Sequence, residues 1–115
     1  MGHYSDVALA LSGKGSKCFE DLIESSPCKI DVEQLLNDAD KKLERDGCIL
    51  YTWSSIKWYR IYPEIAFIQD MLGTQIPQDD FYFIRIGESI SDIDELGDFY
   101  DNPFSLCAVC ELSFS

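Results

Sequence analysis

The apolar positions of this chain change period several times, and each change marks an expected element. Residues 6–11, D-V-A-L-A-L, are a short apolar run ended by Ser12-Gly13-Lys14-Gly15, which predicts a first strand over about residues 4–11. Ser16 then stands as the N-cap of a helix carrying Phe19, Leu22 and Ile23 on one face. That helix runs to about Ser25, where Ser26-Pro27 stops it. From Asp31, with Gln34 as a capping-box partner, Val32, Leu35, Leu36, Ala39 and Leu43 recur at helical spacing. Lys41, Lys42, Glu44 and Arg45 would form the wet face of this second helix, and Gly47 its stop.

Residues 48–60, C-I-L-Y-T-W-S-S-I-K-W-Y-R, are aromatic and β-branched and contain no Gly or Pro, the strongest strand signal in the sequence. Ile49, Tyr51 and Trp53 share one face, whereas Ile56 and Trp58 fall on the other parity, so a bulge near Ser54-Ser55 or a strand end is expected. Pro63 and Glu64 open a third helix with Ile65, Phe67, Ile68, Met71 and Leu72 on its buried side, closed by Gly73. After Pro77–Asp80 turns the chain, F-Y-F-I-R-I gives a strand over about residues 80–87. Residues 88–103 form an acidic connection, in which the spacing of Ile90, Ile93 and Leu96 suggests a short helical turn or an ordered loop. The run S-L-C-A-V-C-E-L-S-F over residues 105–114 reads as a final strand. The expectation is a single α+β domain over residues 1–115. It has a mostly antiparallel sheet of about four strands with two or three helices on one face, in the order β-α-α-β-α-β-β.

Charge alters this picture more than composition does. The chain carries 21 acidic and 9 basic residues, a formal net charge of −12, but residues 61–115 hold a single base, Arg85. Such a half repels nucleic acid and anionic membranes and attracts basic surfaces. With 46% hydrophobic residues the chain can still fill a core, so the acidity does not signal disorder. No apolar run approaches the ~20 residues of a membrane helix, and the start lacks a signal-peptide pattern, so a cytoplasmic protein is expected. Five cysteines, Cys18, Cys28, Cys48, Cys107 and Cys110, are odd in number and irregularly spaced, which argues against a disulfide framework and for small buried hydrophobes.

Candidate chemistry is sparse. Glu88, Asp92, Asp94, Glu95, Asp98 and Asp101 crowd into one acidic segment. An EF-hand reading fails there, because Leu96 takes the fifth position and Pro103 stands where the bidentate glutamate belongs. Two readings remain, a solvated loop that keeps the protein soluble and a carboxylate surface that imitates phosphates and occupies a basic groove. Cys107-Ala-Val-Cys110 lies in an expected strand, not at a helix N-terminus, and is read as core. Gly13-Lys14-Gly15-Ser16 follows a strand and opens a helix but lacks the spacing of a phosphate loop, so a tight turn is the better reading. His3 is the only histidine, nothing singles out a pair of carboxylates, and no catalytic residue, metal site or cofactor is assigned. Trp53, Trp58, Tyr59 and Tyr62 with Lys57 and Arg60 have the interleaving of a single-stranded nucleic-acid platform, but the net charge favours a core reading. Trp58, Tyr59 and Tyr62 are kept as an alternative aromatic patch for a protein partner.

Three blocks, M-G-x-Y-S-D-V-A at 1–8, I-K-W-Y-R-I-Y-P-E-I-A-F-I at 56–68 and D-F-Y-F-I-R-I-G-E at 80–88, form one pattern. The pattern resembles a group of small, acidic, uncharacterised proteins encoded by bacteriophages and prophages. The resemblance implies expression in the bacterial cytoplasm and a role in counter-defence or host takeover, and it transfers no activity or functional residue. The resulting expectation is a non-enzymatic accessory protein that binds a host or phage protein with a basic surface, as a DNA mimic inhibiting a DNA-binding factor. It would bind neither nucleic acid nor membrane directly. The alternative is a small interaction or assembly domain, a homodimer included, whose acidity only confers solubility.

Overall fold

The computed structural model describes residues 4–59, 61–87 and 93–99. Five antiparallel strands form one sheet: β1 (Ser5–Leu11), β2 (Lys41–Arg45), β3 (Cys48–Ile56), β4 (Phe81–Ile86) and β5 (Ile93–Leu96), in the spatial order β2-β3-β1-β4-β5. Three helices, α1 (Gly13–Glu24), α2 (Lys29–Asn37) and α3 (Pro63–Met71), pack on one face. The α+β class and helix count are as expected, but the described residues already form five strands where about four were expected. The expected final strand over residues 105–114 lies outside the described residues.

Side-chain alternation sorts the central strands into two faces. Val7, Leu9 and Leu11 of β1, Ile49, Tyr51 and Trp53 of β3, and Phe81 and Phe83 of β4 meet Phe19, Ile23, Val32, Leu35, Ile65, Ile68 and Met71 from the helices. An aromatic ladder runs through this core. Phe19 meets Tyr51 at 6.3 Å, Tyr51 stacks on Trp53 at 6.0 Å, Trp53 meets Trp58 at 5.5 Å, and Trp58 meets Phe83 at 5.8 Å between ring centroids. Trp53 also donates from Nε1 to the carbonyl of Leu35 at 2.9 Å, tying β3 to α2.

The second expected helix is the main correction. Helix α2 ends at Asn37, and Lys41–Arg45 instead form β2, an exposed edge strand paired with β3. Asp46 and Gly47, with φ of 54° and 82°, make the two-residue turn joining them. Both central residues of a type I′ hairpin turn need positive φ, which Asp-Gly supplies cheaply. Gly47 therefore closes a hairpin and does not stop a helix. The run K-K-L-E-R keeps this sheet margin soluble through Lys41, Lys42 and Arg45.

Other boundaries shift less. Helix α1 begins at Gly13 with Ser12, not Ser16, as its N-cap. Ile93–Leu96 form β5 where a helical turn or loop was expected. Strand β3 ends at Ile56, short of residue 60. The expected bulge is present: Ser5 pairs with Ile56 and Val7 with Trp53, so β3 carries one extra residue. Ser55 takes φ 54°, and Asp6 Oδ1 accepts its freed backbone N–H at 3.0 Å.

Tyr51 gives the core a pH dependence. Burial raises its phenol pKa above the usual tyrosine value, with Glu20 and Glu44 adding to the effect. The unfolded chain therefore loses this proton first, and stability falls as the pH rises through about 10 toward the higher folded value. Tyr51→Phe should flatten that alkaline decline. Urea midpoints across the alkaline range test this, and identical slopes for both proteins would rule it out.

Candidate functional site

The acidic segment is built around β5. Its register places Asp94 opposite Arg85 and Glu95 opposite Ile84. Because neighbouring residues on a strand point to opposite faces, the two carboxylates diverge. On the helix side, Arg85 Nε donates to Asp94 Oδ2 at 2.7 Å, while Arg85 Nη1 donates to Ser5 Oγ at 2.8 Å. On the other side, the Tyr82 hydroxyl donates to Glu95 Oε2, a diagonal cross-strand contact. Asp98 donates its backbone N–H to the Gln78 carbonyl at 2.7 Å, which brings it beside the 3-10 turn Gln78–Asp80. Exposed Asp79 thus joins exposed Asp98 at this end of the sheet.

The structure therefore brings Asp94, Glu95 and Asp98 to one sheet edge, but not onto one plane. Glu88, Asp92 and Asp101 lie outside the described residues. Asp79 is the member that sequence reading missed. Its acidity was visible at Asp79-Asp80, but its closeness to Asp98 depends on a contact across 20 positions of chain. Asp80 turns away and accepts at Oδ1 from Ser12 Oγ at 2.9 Å.

That contact explains Gly13-Lys14-Gly15-Ser16. Ser12 Oγ accepts from the Gly15 N–H at 3.0 Å, and Ser12 N–H donates to the Asp80 carbonyl at 2.9 Å. A Cβ at residue 15 would stand 2.3 Å from the Asp80 carbonyl oxygen. The glycine lets a backbone, not a phosphate, approach the helix start, and the Asp80 carboxylate adds negative charge there. The expected tight turn is absent: Gly13–Ser16 are the first turn of α1 itself, capped by Ser12.

The aromatic patch divides. Trp58 is only 6% exposed and belongs to the core ladder, a correction to its place in a surface patch. Tyr59 and Tyr62 do stack, at 6.0 Å between centroids, and the adjoining Ile61 is 83% exposed. Cys18, Cys28 and Cys48 are unpaired and half-buried, less enclosed than expected, while Cys107 and Cys110 lie outside the described residues. Among the described residues no three His, Cys, Asp or Glu side chains are grouped to hold a metal ion, and no helix is long and apolar enough to cross a membrane. The comparisons with known proteins add no relative: no family model, curated protein or solved structure matches the chain.

Proposed function

We propose that this chain is a non-enzymatic binding protein whose contact surface is the acidic β4–β5 margin, presented to a basic, nucleic-acid-binding surface of another protein. The observation that carries the reading is the exposure of every residue of β5 at a sheet edge, with Asp94 and Glu95 on it and Asp79 and Asp98 at its end. Among the described residues β5 has a strand partner on one side only, and an edge of that kind offers backbone groups as well as charge, so a basic extended segment is suited to both. Attraction of this kind speeds encounter and is screened by salt. The resemblance to phage and prophage proteins supports a setting in the bacterial cytoplasm and inhibition by competitive occupancy.

The test is capture of basic proteins from a bacterial lysate, with and without added duplex DNA. The wild type is compared with a variant combining Asp79→Asn, Asp94→Asn, Glu95→Gln and Asp98→Asn. The wild type is expected to retain a DNA-binding protein at low salt, release it at high salt and yield it to DNA. The variant, folded by circular dichroism, is expected to lose at least about tenfold in affinity. Equal retention by both proteins overturns the proposal.

The stacked Tyr59–Tyr62 pair beside exposed Ile61 favours a second reading, a self-assembling domain whose acidity only keeps it in solution. Light scattering would then give twice the chain mass, and Ile61→Asp would return it to the monomer value.

A further inference from the structure

The bulge in β3 borders a cleft that the acidic margin does not use. At this end of the sheet Tyr4 precedes β1, Ser55 lies in the bulge, Ile86 ends β4 and Gly87 follows it. Among the described residues these four and Asp6 line an open cleft of about 470 Å³, within the size range of ligand sites. Asp6 pairs across to Ile86, and Ile86 across to Ile93, so the cleft and the start of β5 share one row of the sheet.

The walls differ in chemistry. Asp6 supplies a carboxylate, and the Ser55 N–H, at 3.0 Å, occupies one of its roughly four acceptor positions. Among the described residues no cation pairs with Asp6. Ser55 itself is held at φ 54°, a costly conformation for a residue with a side chain, and residues held in this way concentrate at functional sites. Tyr4, 45% exposed, supplies an aromatic wall. Lys57 Nζ already stands 5.6 Å from the centroid of that ring, so the ring accepts a cation. Ile86 adds apolar surface. A carboxylate, a ring face and an aliphatic side chain together suit a guanidinium, which is planar, stacks on aromatic faces and donates paired hydrogen bonds to a carboxylate. An anion would be repelled by Asp6. The open mouth admits the end of a side chain brought from outside.

We propose that this cleft is a guanidinium site that receives an arginine side chain of the basic partner. The partner rests on the acidic-margin reading, whereas the site rests on Asp6, Tyr4 and the bulge, none of which that reading uses. One basic surface would then be held at two places, by charge along β5 and by an inserted arginine beside β1.

The test uses N-acetyl-L-arginine amide as the probe, titrated into the full chain while the amide signals of Ser55 and Gly87 are followed by nuclear magnetic resonance. Both signals should shift saturably. N-acetyl-L-citrulline amide, close in shape but uncharged, should bind at least about tenfold more weakly. Asp6→Asn should weaken the arginine probe by a similar factor, because asparagine still accepts from the Ser55 N–H and keeps the bulge. Tyr4→Leu, at an exposed position, should weaken it about threefold. The absence of saturable shifts, or equal binding by the citrulline probe or by either variant, overturns the proposal. Lysate capture with the four margin substitutions leaves Asp6 untouched, so the two readings fail separately. Capture without arginine binding keeps the margin and removes the site, and arginine binding without capture keeps the site and removes the partner.

Discussion

Trp53→Ala should cost about 3–5 kcal/mol, the range for truncating a large buried aromatic, and so remove much of the stability of a domain this size. Trp53 is 2% exposed and stands mid-ladder, between Tyr51 and Trp58. Its loss opens a cavity where β3 meets the helices. It also leaves the Leu35 carbonyl at the end of α2 without the indole N–H that satisfies it. The penalty for an orphaned buried acceptor adds to the cavity cost. Urea unfolding of the variant checks this, and a loss below about 1 kcal/mol would show that the ladder is not a structural axis. Trp53→Phe separates the two contributions, since it keeps most of the ring packing and deletes the donor.

Gly15→Ala should be the next most damaging single change, although alanine is the better helix former by about 1 kcal/mol. The added methyl would meet the Asp80 carbonyl oxygen at 2.3 Å, so either α1 or the turn before β4 must move. Both are fixed by the paired Ser12–Asp80 contacts, and overpacking of this kind costs about 1–3 kcal/mol. The variant should unfold at lower urea, and inorganic phosphate should not stabilise the wild type. A neutral or stabilising substitution would mean that the close approach does not exist. Stabilisation by phosphate would restore the anion-cradle reading of the glycines.

These sites show where the sequence was legible. Strand β3, helix α3 and the bulge at Ser54-Ser55 could be read because each is written in a local pattern: β-branched alternation, a proline at the helix start, a change of parity. Residues 31–46 misled because Leu35, Leu36, Ala39 and Leu43 match a helical stripe by spacing alone. Leu43 is in fact exposed on β2, and Asp46-Gly47 was the signal that should have prevailed. Strand β5 has no comparable signature. Four residues become a strand because β4 offers them a ladder, and Arg85 and Tyr82 then take up their carboxylates. The acidic cluster was legible as composition, but its division between two faces follows from pairing, which no window of sequence contains. The role of Gly15 was hidden for the same reason, since Asp80 is remote along the chain.

The two margins of the sheet differ in sign. Lys41, Lys42 and Arg45 outnumber Glu44 along β2, and Asp94 and Glu95 lie along β5 at the far side of three intervening strands. Strand for strand, β2 has a net positive and β5 a net negative charge, a separation that lies in the plane of the sheet. A basic body approaching in solution would exert a torque as well as an attraction, turning β5 toward itself and β2 away before contact. Collisions would arrive already oriented, so a small acidic strand could capture partners faster than its area alone allows.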